Sequence, residues 1–267
     1  MKKYCALMID LKKSRSYSTK IRNSIQNSMM EIINILNEIF ENSLEKKVDF
    51  SAGDEIQGLF ISSIAAYLYY RFFSMLIFPF EIRAGIGLGT WDVVIEGAST
   101  TAQDGIVYHN ARKAINDARK SLEYSVLFYS MQKKDSIINS LINTVVLINS
   151  KQSAYQNDLM LLTEILYPIT MNNVVDSIKI KKLLKILEEK NELNLQKLKE
   201  EEIFSNPIEI VKEDIEYFIT AGKKRGLSTQ LSEYLGISRQ SIEKTIKTAN
   251  IFELRNLVIS ILFTMED

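Results

Sequence analysis

The sequence predicts an α+β first half and an all-α second half. Three observations predict it. Apolar residues switch between strand-like and helix-like periods up to residue 130. Strand-like alternation then disappears over residues 132–202, and a tight turn separates two short amphipathic segments within residues 222–250.

Taken in order, residues 3–9 form a short apolar run of mixed alternation, the pattern of a buried strand. Ile21, Ile25, Met29, Ile32, Ile33, Leu36, Ile39 and Phe40 follow helical spacing, so residues 19–40 are expected as a long amphipathic helix. Residues 48–51 and 56–61 are β-like runs around Ala52-Gly53-Asp54-Glu55, which reads as a hairpin. Ser62 or Ser63 opens an apolar helix, and Pro79 ends it. Residues 80–88 make a glycine-rich strand, residues 104–122 a helix and residues 124–129 a last strand. The order β-α-β-β-α-β with a further α-β is ferredoxin-like, with two helices packed on one face of an antiparallel sheet. That fold hosts many functions, so activity must be argued from the site.

The second half reads differently. Residues 179–202 interleave Lys and Glu, the pattern of a solvated helix or helix pair. Asn206-Pro207 punctuates the chain before an amphipathic helix at 208–219. The expected domains are 1–130, a helical connector at 131–206, and a terminal helical domain at 207–267.

Composition narrows the function. A chain of 267 residues with 46% hydrophobic and 25% charged residues suits one or two globular domains. Lys and Arg number 33, as do Asp and Glu, so any nucleic-acid surface must be local. The single cysteine, Cys5, excludes an internal disulfide framework and a multi-cysteine zinc site, and points to a cytoplasmic protein. The single histidine, His109, excludes paired-histidine metal sites and reads as an ordinary helix residue. The N-terminal apolar stretch is short, meets Asp10 and lacks a small-residue cleavage site, so no signal peptide is expected. Residues 64–82 are the most apolar window, yet Arg71, Ser74, Pro79 and Glu81 interrupt it. A membrane span needs roughly 20 apolar residues, so this window is expected as a buried helix of a soluble protein.

Leu231, Ser232, Leu235, Gly236, Ile237 and Ile242 fit the grammar of a helix-turn-helix. Ser232 is small enough for a close crossing, Gly236 suits a left-handed turn, and Ser238 is placed to cap a second helix at 239–248. On that helix Arg239, Gln240, Ser241, Lys244 and Lys247 point outward while Ile242 and Ile246 face in. Such polar residues meet base edges and phosphates in a major groove. Residues 222–250 carry six basic against two acidic residues, the local excess that phosphate neutralisation needs. The competing reading is a helical hairpin used for packing or dimerisation.

In the first half, Asp10 ends the first strand and Asp54 sits at the hairpin tip. In the expected order these strands are neighbours. Two carboxylates at one sheet edge would hold Mg²⁺, a hard cation that takes oxygen ligands and binds phosphates. Glu55 offers a third oxygen. Either Asp alone would read as a turn residue or cap. Ser14 and Arg15 follow the first strand as candidate phosphate contacts, against a plainer reading as cap and solvent-facing charge. Gly85, Gly87 and Gly89 lie in a strand rather than before a helix, so close backbone packing or an approaching ligand explains them better than a phosphate loop. Trp91 and Asp92 are candidates to line a base pocket.

Asp10, the Gly53-Asp54 hairpin and the strand Ile82-Arg83-Ala84-Gly85-Ile86-Gly87 resemble the palm of class III nucleotide cyclases and, more distantly, diguanylate cyclases. More closely, and over essentially its full length, the chain resembles the SatD family. The matching stretches are DLKKSR at 10–15, GDEIQGLF at 53–60, IRAGIGLG at 82–89, DGIVYHNAR at 104–112 and the terminal helix-turn-helix. This resemblance implies architecture more than reaction. The cyclase likeness implies Asp10 and Asp54 as metal carboxylates and Arg112 as the arginine that steadies phosphate; Gly53 and Glu55 beside them are further candidate ligand contacts. Tyr108 stands where the cyclases keep an asparagine, and no residue clearly matches their base-reading lysine. A site that keeps metal ligands but loses charge-stabilising groups should bind better than it catalyses.

The expected function is a homodimeric DNA-binding regulator whose cyclase-like domain binds a nucleotide or related phosphorylated ligand with Mg²⁺. The alternatives are an active nucleotidyl cyclase or transferase, and a protein-binding scaffold.

Overall fold

Burial on both faces explains why the first strand, β1 (Tyr4–Leu11), lacks clean alternation. It is the middle strand of a five-stranded sheet ordered β2-β3-β1-β4-β5, with β2 at Leu44–Ala52, β3 at Glu55–Phe60, β4 at Ile82–Gly89 and β5 at Val126–Tyr129. β4 and β5 run parallel, while the other neighbours are antiparallel. The computed structural model describes residues 2–195, 203–210 and 223–266. The chain divides into two units, Met1–Asn143 with Thr264–Asp267 and Thr144–Phe263.

The first unit is α+β, and its element order follows the expected β-α-β-β-α-β-α-β. Helix α1 (Thr19–Ile39) begins where the Ser18 hydroxyl accepts from the Ile21 amide, and it buries Ile25, Met29, Ile32, Ile33, Leu36 and Ile39. Helix α2 (Ser63–Ile77) is capped by Ser62, which accepts from the Ala65 amide. Its circumference is buried almost throughout, which accounts for the apolar window. Among the described residues no helix is long and apolar enough to cross a membrane. Helix α3 (Ile106–Lys120) lies over β4, β1 and β5.

β5 would leave an open sheet edge, and α4 (Asp135–Asn149) covers it with two amides. Asn139 accepts from the Phe128 amide at 2.6 Å and donates to the Phe128 carbonyl at 3.0 Å. Asn143, one turn on, accepts from the Ser125 amide and donates to the Val126 carbonyl at 2.6 Å. The two side chains thus do for β5 what a sixth strand would do.

Among the described residues the second unit is helical with one small exception. α5 (Ala154–Leu166) opens with a capping box between Ser153 and Gln156. It carries Glu164, fully buried and paired with Arg255, whose Nη2 also donates to the Tyr167 carbonyl at 2.7 Å. Residues 132–202 were expected to hold no strand, but β6 (Ile169–Thr170) pairs in parallel with β7 (Ile208–Glu209). A two-residue ladder between distant segments has too little period to read from sequence. The helix expected at 208–219 therefore does not begin at 208, and residues 211–219 lie outside the described residues. Over 179–202 the Lys/Glu-rich segment forms a 3₁₀ turn at Lys179–Lys182 and α6 (Leu183–Lys190), which buries Leu183, Leu184, Ile186 and Leu187. Residues 196–202 lie outside the described residues. Among the described residues three helices follow: α7 (Leu227–Leu235), α8 (Arg239–Thr248) and α9 (Ile251–Met265).

Candidate functional site

Strand alternation brings the site together. Successive side chains leave a strand on opposite faces, so Ala6, Met8 and Asp10 on β1 share a face with Glu55, Gln57 and Leu59 on β3. Ala6, Met8 and Leu59 pack against Val107, Tyr108, Ala111 and Ile115, which identifies this as the face that α3 covers. The β1–β3 register runs to Ile9 opposite Ile56, so the next pair sets Asp10 opposite Glu55. On the other side Arg83 lies opposite Asp10.

Glycines let α3 come down onto this face. A Cβ at Gly85 would stand 2.4 Å from the Ala111 carbonyl oxygen, and one at Gly87 would stand 2.1 Å from the Ala111 amide. Helix backbone occupies the volume where side chains would otherwise project, which is the close-packing reading of the glycine strand. Arg112 and Arg119, seven residues and two turns apart, then share the helix face above the carboxylates. Arg112 Nη1 donates to both Glu55 oxygens, at 2.7 and 2.9 Å. Arg119 bridges the two acids, with Nε to Asp10 Oδ2 at 2.7 Å and Nη2 to Glu55 Oε2 at 2.8 Å.

The two acids answer this environment differently. Burial pushes the Asp10 carboxyl above its usual value, and the hydrogen bond from Arg119 offsets only part of that. Burial acts on Glu55 too, but hydrogen bonds from Arg112, Arg119 and Ser51 outweigh it and hold that carboxyl below its usual value. Burial disfavours the Arg119 charge, yet bonds to Asp10 and Glu55 more than compensate, so its pKa is raised. Asp10 Oδ1 is buried and has no hydrogen-bond partner.

An open cavity of about 560 Å³ lies beside this cluster. Asp10, Asp54, Glu55 and Arg119 form part of its lining, and Leu11, Lys13, Ser14, Arg15 and Arg83 complete it. Ser14 and Arg15 reach it from a 3₁₀ turn (Ser14–Ser16) that Lys13 starts with φ of 55°. Gly53 makes the tight hairpin tip with φ of 61° and accepts from Gln26 through its carbonyl, presenting Asp54 to the cavity. Arg119, not Arg112, lines the cavity.

Among the described residues no group of three or more His, Cys, Asp or Glu side chains is placed to hold a metal ion. The donor set still fits Mg²⁺ bound by one or two carboxylates, because that ion usually completes its shell with waters and ligand phosphates. The unpartnered Asp10 Oδ1 and the neighbouring Asp54 would supply the two; Glu55 is committed to arginines.

The model of the SatD family matches residues 4–201. The chain belongs to the SatD family. The match takes in all of the cluster around Asp10 and Glu55, whereas α7, α8 and α9 of this SatD-family chain lie beyond it. No curated protein matches the chain. Among solved structures it is similar to a bacterial light-regulated adenylyl cyclase, with 12% identity, 47% of this chain and 74% of that one covered, and a TM-score of 0.34.

Other sequence candidates in this SatD-family chain have structural work. Asp92 Oδ2 accepts from the Ile106 amide, so it caps α3. Trp91 packs edge-on against Tyr4 at 5.5 Å, with Lys46 Nζ 5.7 Å from its ring centre. Tyr108 is buried in the apolar cluster under α3, and burial raises its phenol pKa. His109 is exposed and stands 3.3 Å from Asp104. Sequence reasoning missed Arg119 and Arg83. Arg119 was findable, since it repeats the Arg112 position two turns later on an amphipathic helix.

In the second unit, α7 and α8 are joined by a turn in which Gly236 adopts φ of 64°. The Ser232 hydroxyl donates to the Ile237 carbonyl at 2.6 Å, and Ser238 caps α8 by accepting from the Ser241 amide. Ile242 and Ile246 are buried, while Arg239, Gln240, Ser241, Lys244 and Lys247 are exposed. Arg239 is held along the helix by Glu243 at 2.8 Å, and Glu243 in turn accepts from Ser228 of α7.

Proposed function

We propose that this SatD-family protein is a homodimeric DNA-binding regulator whose first unit senses a nucleotide or related phosphorylated ligand together with Mg²⁺. The observation that carries the DNA reading is the exposed face of α8. Gln240, Ser241, Lys244 and Lys247 are exposed together, opposite the buried Ile242 and Ile246. That helix follows α7 through a short left-handed turn, the arrangement that sets a recognition helix into a major groove. Lys244 and Lys247 would meet phosphates, and Gln240 a base edge. Arg239 would leave Glu243 to join them; that ion pair is exposed and worth little.

The test is fluorescence anisotropy with labelled duplex across a salt series. We expect Lys244→Ala to weaken binding alike on all sequences and to lower the salt slope by about one. Gln240→Ala should instead relax sequence preference. Absence of salt-dependent binding by the wild-type chain would end the DNA reading.

The ligand reading rests on the cavity at Asp10. Its lining carries Lys13, Arg15, Arg83 and Arg119 against three carboxylates, so an anion is favoured there once a cation joins Asp10 and Asp54. Bound Mg²⁺ would neutralise phosphate oxygens and fix their position. Arg15 and Arg83 would contact phosphate directly, and Ser14 would donate its hydroxyl.

A second reading, turnover of a nucleoside triphosphate, is favoured by one observation. Asp10 lines the cavity and is a buried carboxylate with a raised pKa and an oxygen that lacks a hydrogen-bond partner, the character of a group that accepts a proton from an attacking hydroxyl. Product analysis of ATP and GTP incubations decides it. Product that disappears in Asp54→Ala makes the site catalytic; binding without product makes it a sensor.

A further inference from the structure

We propose that Arg119 is an exchangeable counter-ion: Asp10 trades it for a divalent cation, and the freed guanidinium grips the phosphates that arrive with that cation. The ligand class is then a metal-chelated di- or triphosphate rather than a lone anion or a lone metal. This deepens the ligand reading given above and rests on it.

The two acids are held asymmetrically. Glu55 accepts from both Arg112 and Arg119, so losing Arg119 leaves it with a two-bond partner. Asp10 Oδ2 is held by Arg119, and Asp10 Oδ1 has no partner. If Arg119 leaves, Glu55 stays satisfied and Asp10 becomes free to bind something else. Glu55 is the fixed acid and Asp10 the one that exchanges.

Arg119 is also the one of the two arginines that faces the cavity. It stands in the last turn of α3, its side chain is 36% exposed, and it lines the cavity. Its Nη1 already reaches toward solvent, to Asn116 Oδ1 at 3.0 Å. A divalent cation taken up by Asp10 would place a second positive charge on the carboxylate that Arg119 holds, and two like charges on one group repel. Cation arrival therefore weakens the Arg119 bond to Asp10, and the released charge stays near the cavity.

The charge balance then fixes the ligand. With Arg119 released, Lys13, Arg15, Arg83 and Arg119 face a site that has also gained a divalent cation. Asp10, Asp54 and Glu55 cannot offset this, Glu55 being matched by Arg112. A ligand carrying several negative charges restores neutrality, and bridging oxygens of a di- or triphosphate can meet cation and guanidinium together.

The experiment uses the full chain, with Mn²⁺ and its pyrophosphate complex as probes, read by calorimetry and by the spin resonance of free Mn²⁺. We expect Arg119→Gln to bind Mn²⁺ alone at least about tenfold more tightly than wild type, since the competitor is gone. The same variant should bind the Mn²⁺–pyrophosphate complex at least about tenfold more weakly, since the gripping group is gone. Opposite signs are the signature; a purely structural arginine would move both affinities one way. Arg119→Lys, which keeps the charge, guards against loss of folding and should leave Mn²⁺ alone near the wild-type affinity. Wild-type binding of the complex with both affinities shifted in the same direction in Arg119→Gln overturns the exchange while sparing the ligand reading. No binding of either probe to any form overturns both.

Discussion

Glu55 and Asp10 sit opposite each other, share one arginine, and should contribute to stability with opposite signs. Glu55 has its pKa held below the ordinary 4.5 by burial overcome by two guanidiniums, so its contribution is present above that value. It is lost as pH falls through the lowered, folded value. Removing a partner from a buried pair costs about 3–5 kcal/mol, and partial exposure of both arginines reduces this to about 1–3 kcal/mol. Glu55→Gln should therefore lower the unfolding free energy by that amount near neutral pH, with the gap closing below about pH 4.5 in denaturant titrations. Asp10 has a folded pKa above the ordinary 3.8, so ionising it costs the folded state as pH rises through that window. Asp10→Asn should accordingly destabilise less than Glu55→Gln at neutral pH. An equal or larger loss would show that the Arg119 bond outweighs the burial of Asp10. The sequence made Asp10, Asp54 and Glu55 legible because acids at strand ends are conspicuous. It hid their commitments, because Arg119 lies 109 positions beyond Asp10 and 64 beyond Glu55 in the chain.

At the scale of elements, the decisive contact is α3 against β4. Gly87→Ala would drive a methyl into the Ala111 amide and the Val107 carbonyl, at 2.1 and 2.5 Å. Overpacking of this kind costs about 1–3 kcal/mol where side chains can yield, and helix backbone yields less readily. We expect a lowered melting temperature together with weaker binding of Mn²⁺–pyrophosphate, although no site residue is altered. Asn143→Leu tests the other edge of the sheet. It strands the Ser125 amide and the Val126 carbonyl, and unmade buried hydrogen bonds cost about 1–3 kcal/mol each. Hydrogen exchange at residues 125–128 should speed up selectively. Most elements of the first unit were legible within a few residues, since their periods are long and their caps, Ser18 and Ser62, are strong. The asparagine pair was not, because two polar residues in an apolar helix carry no sign of what they bond. β6 and β7 escaped for a related reason, a two-residue ladder joining segments about forty residues apart.

For the molecule as a whole, two ionic sites of different character lie in separate units. The cluster around Asp10 belongs to the first unit and the exposed face of α8 to the second. A regulator needs them to be linked, and linkage is reciprocal: a ligand that changes DNA affinity must have its own affinity changed by DNA to the same factor. Pyrophosphate with Mn²⁺ should therefore shift duplex affinity by about 5–150-fold in the full chain, and Asp10→Ala should abolish the shift without altering affinity measured in its absence. Light scattering at micromolar concentration, with ligand and DNA present, checks the homodimer; a monomer under those conditions would remove that part of the proposal.

The glycines of β4 also set how the site is permitted to move. Two residues along a strand advance about 6.8 Å and four along a helix about 6 Å. Gly85 and Gly87 consequently meet Ala111 and Val107 as one toothed edge meets another. Backbone seated on backbone has no compressible cushion, and α3 slides along β4 only by jumping a whole tooth. Small, graded shifts of the helix are shut out. Any adjustment to a bound ligand falls to the long side chains at its surface, which can swing while the scaffold that carries them keeps its step.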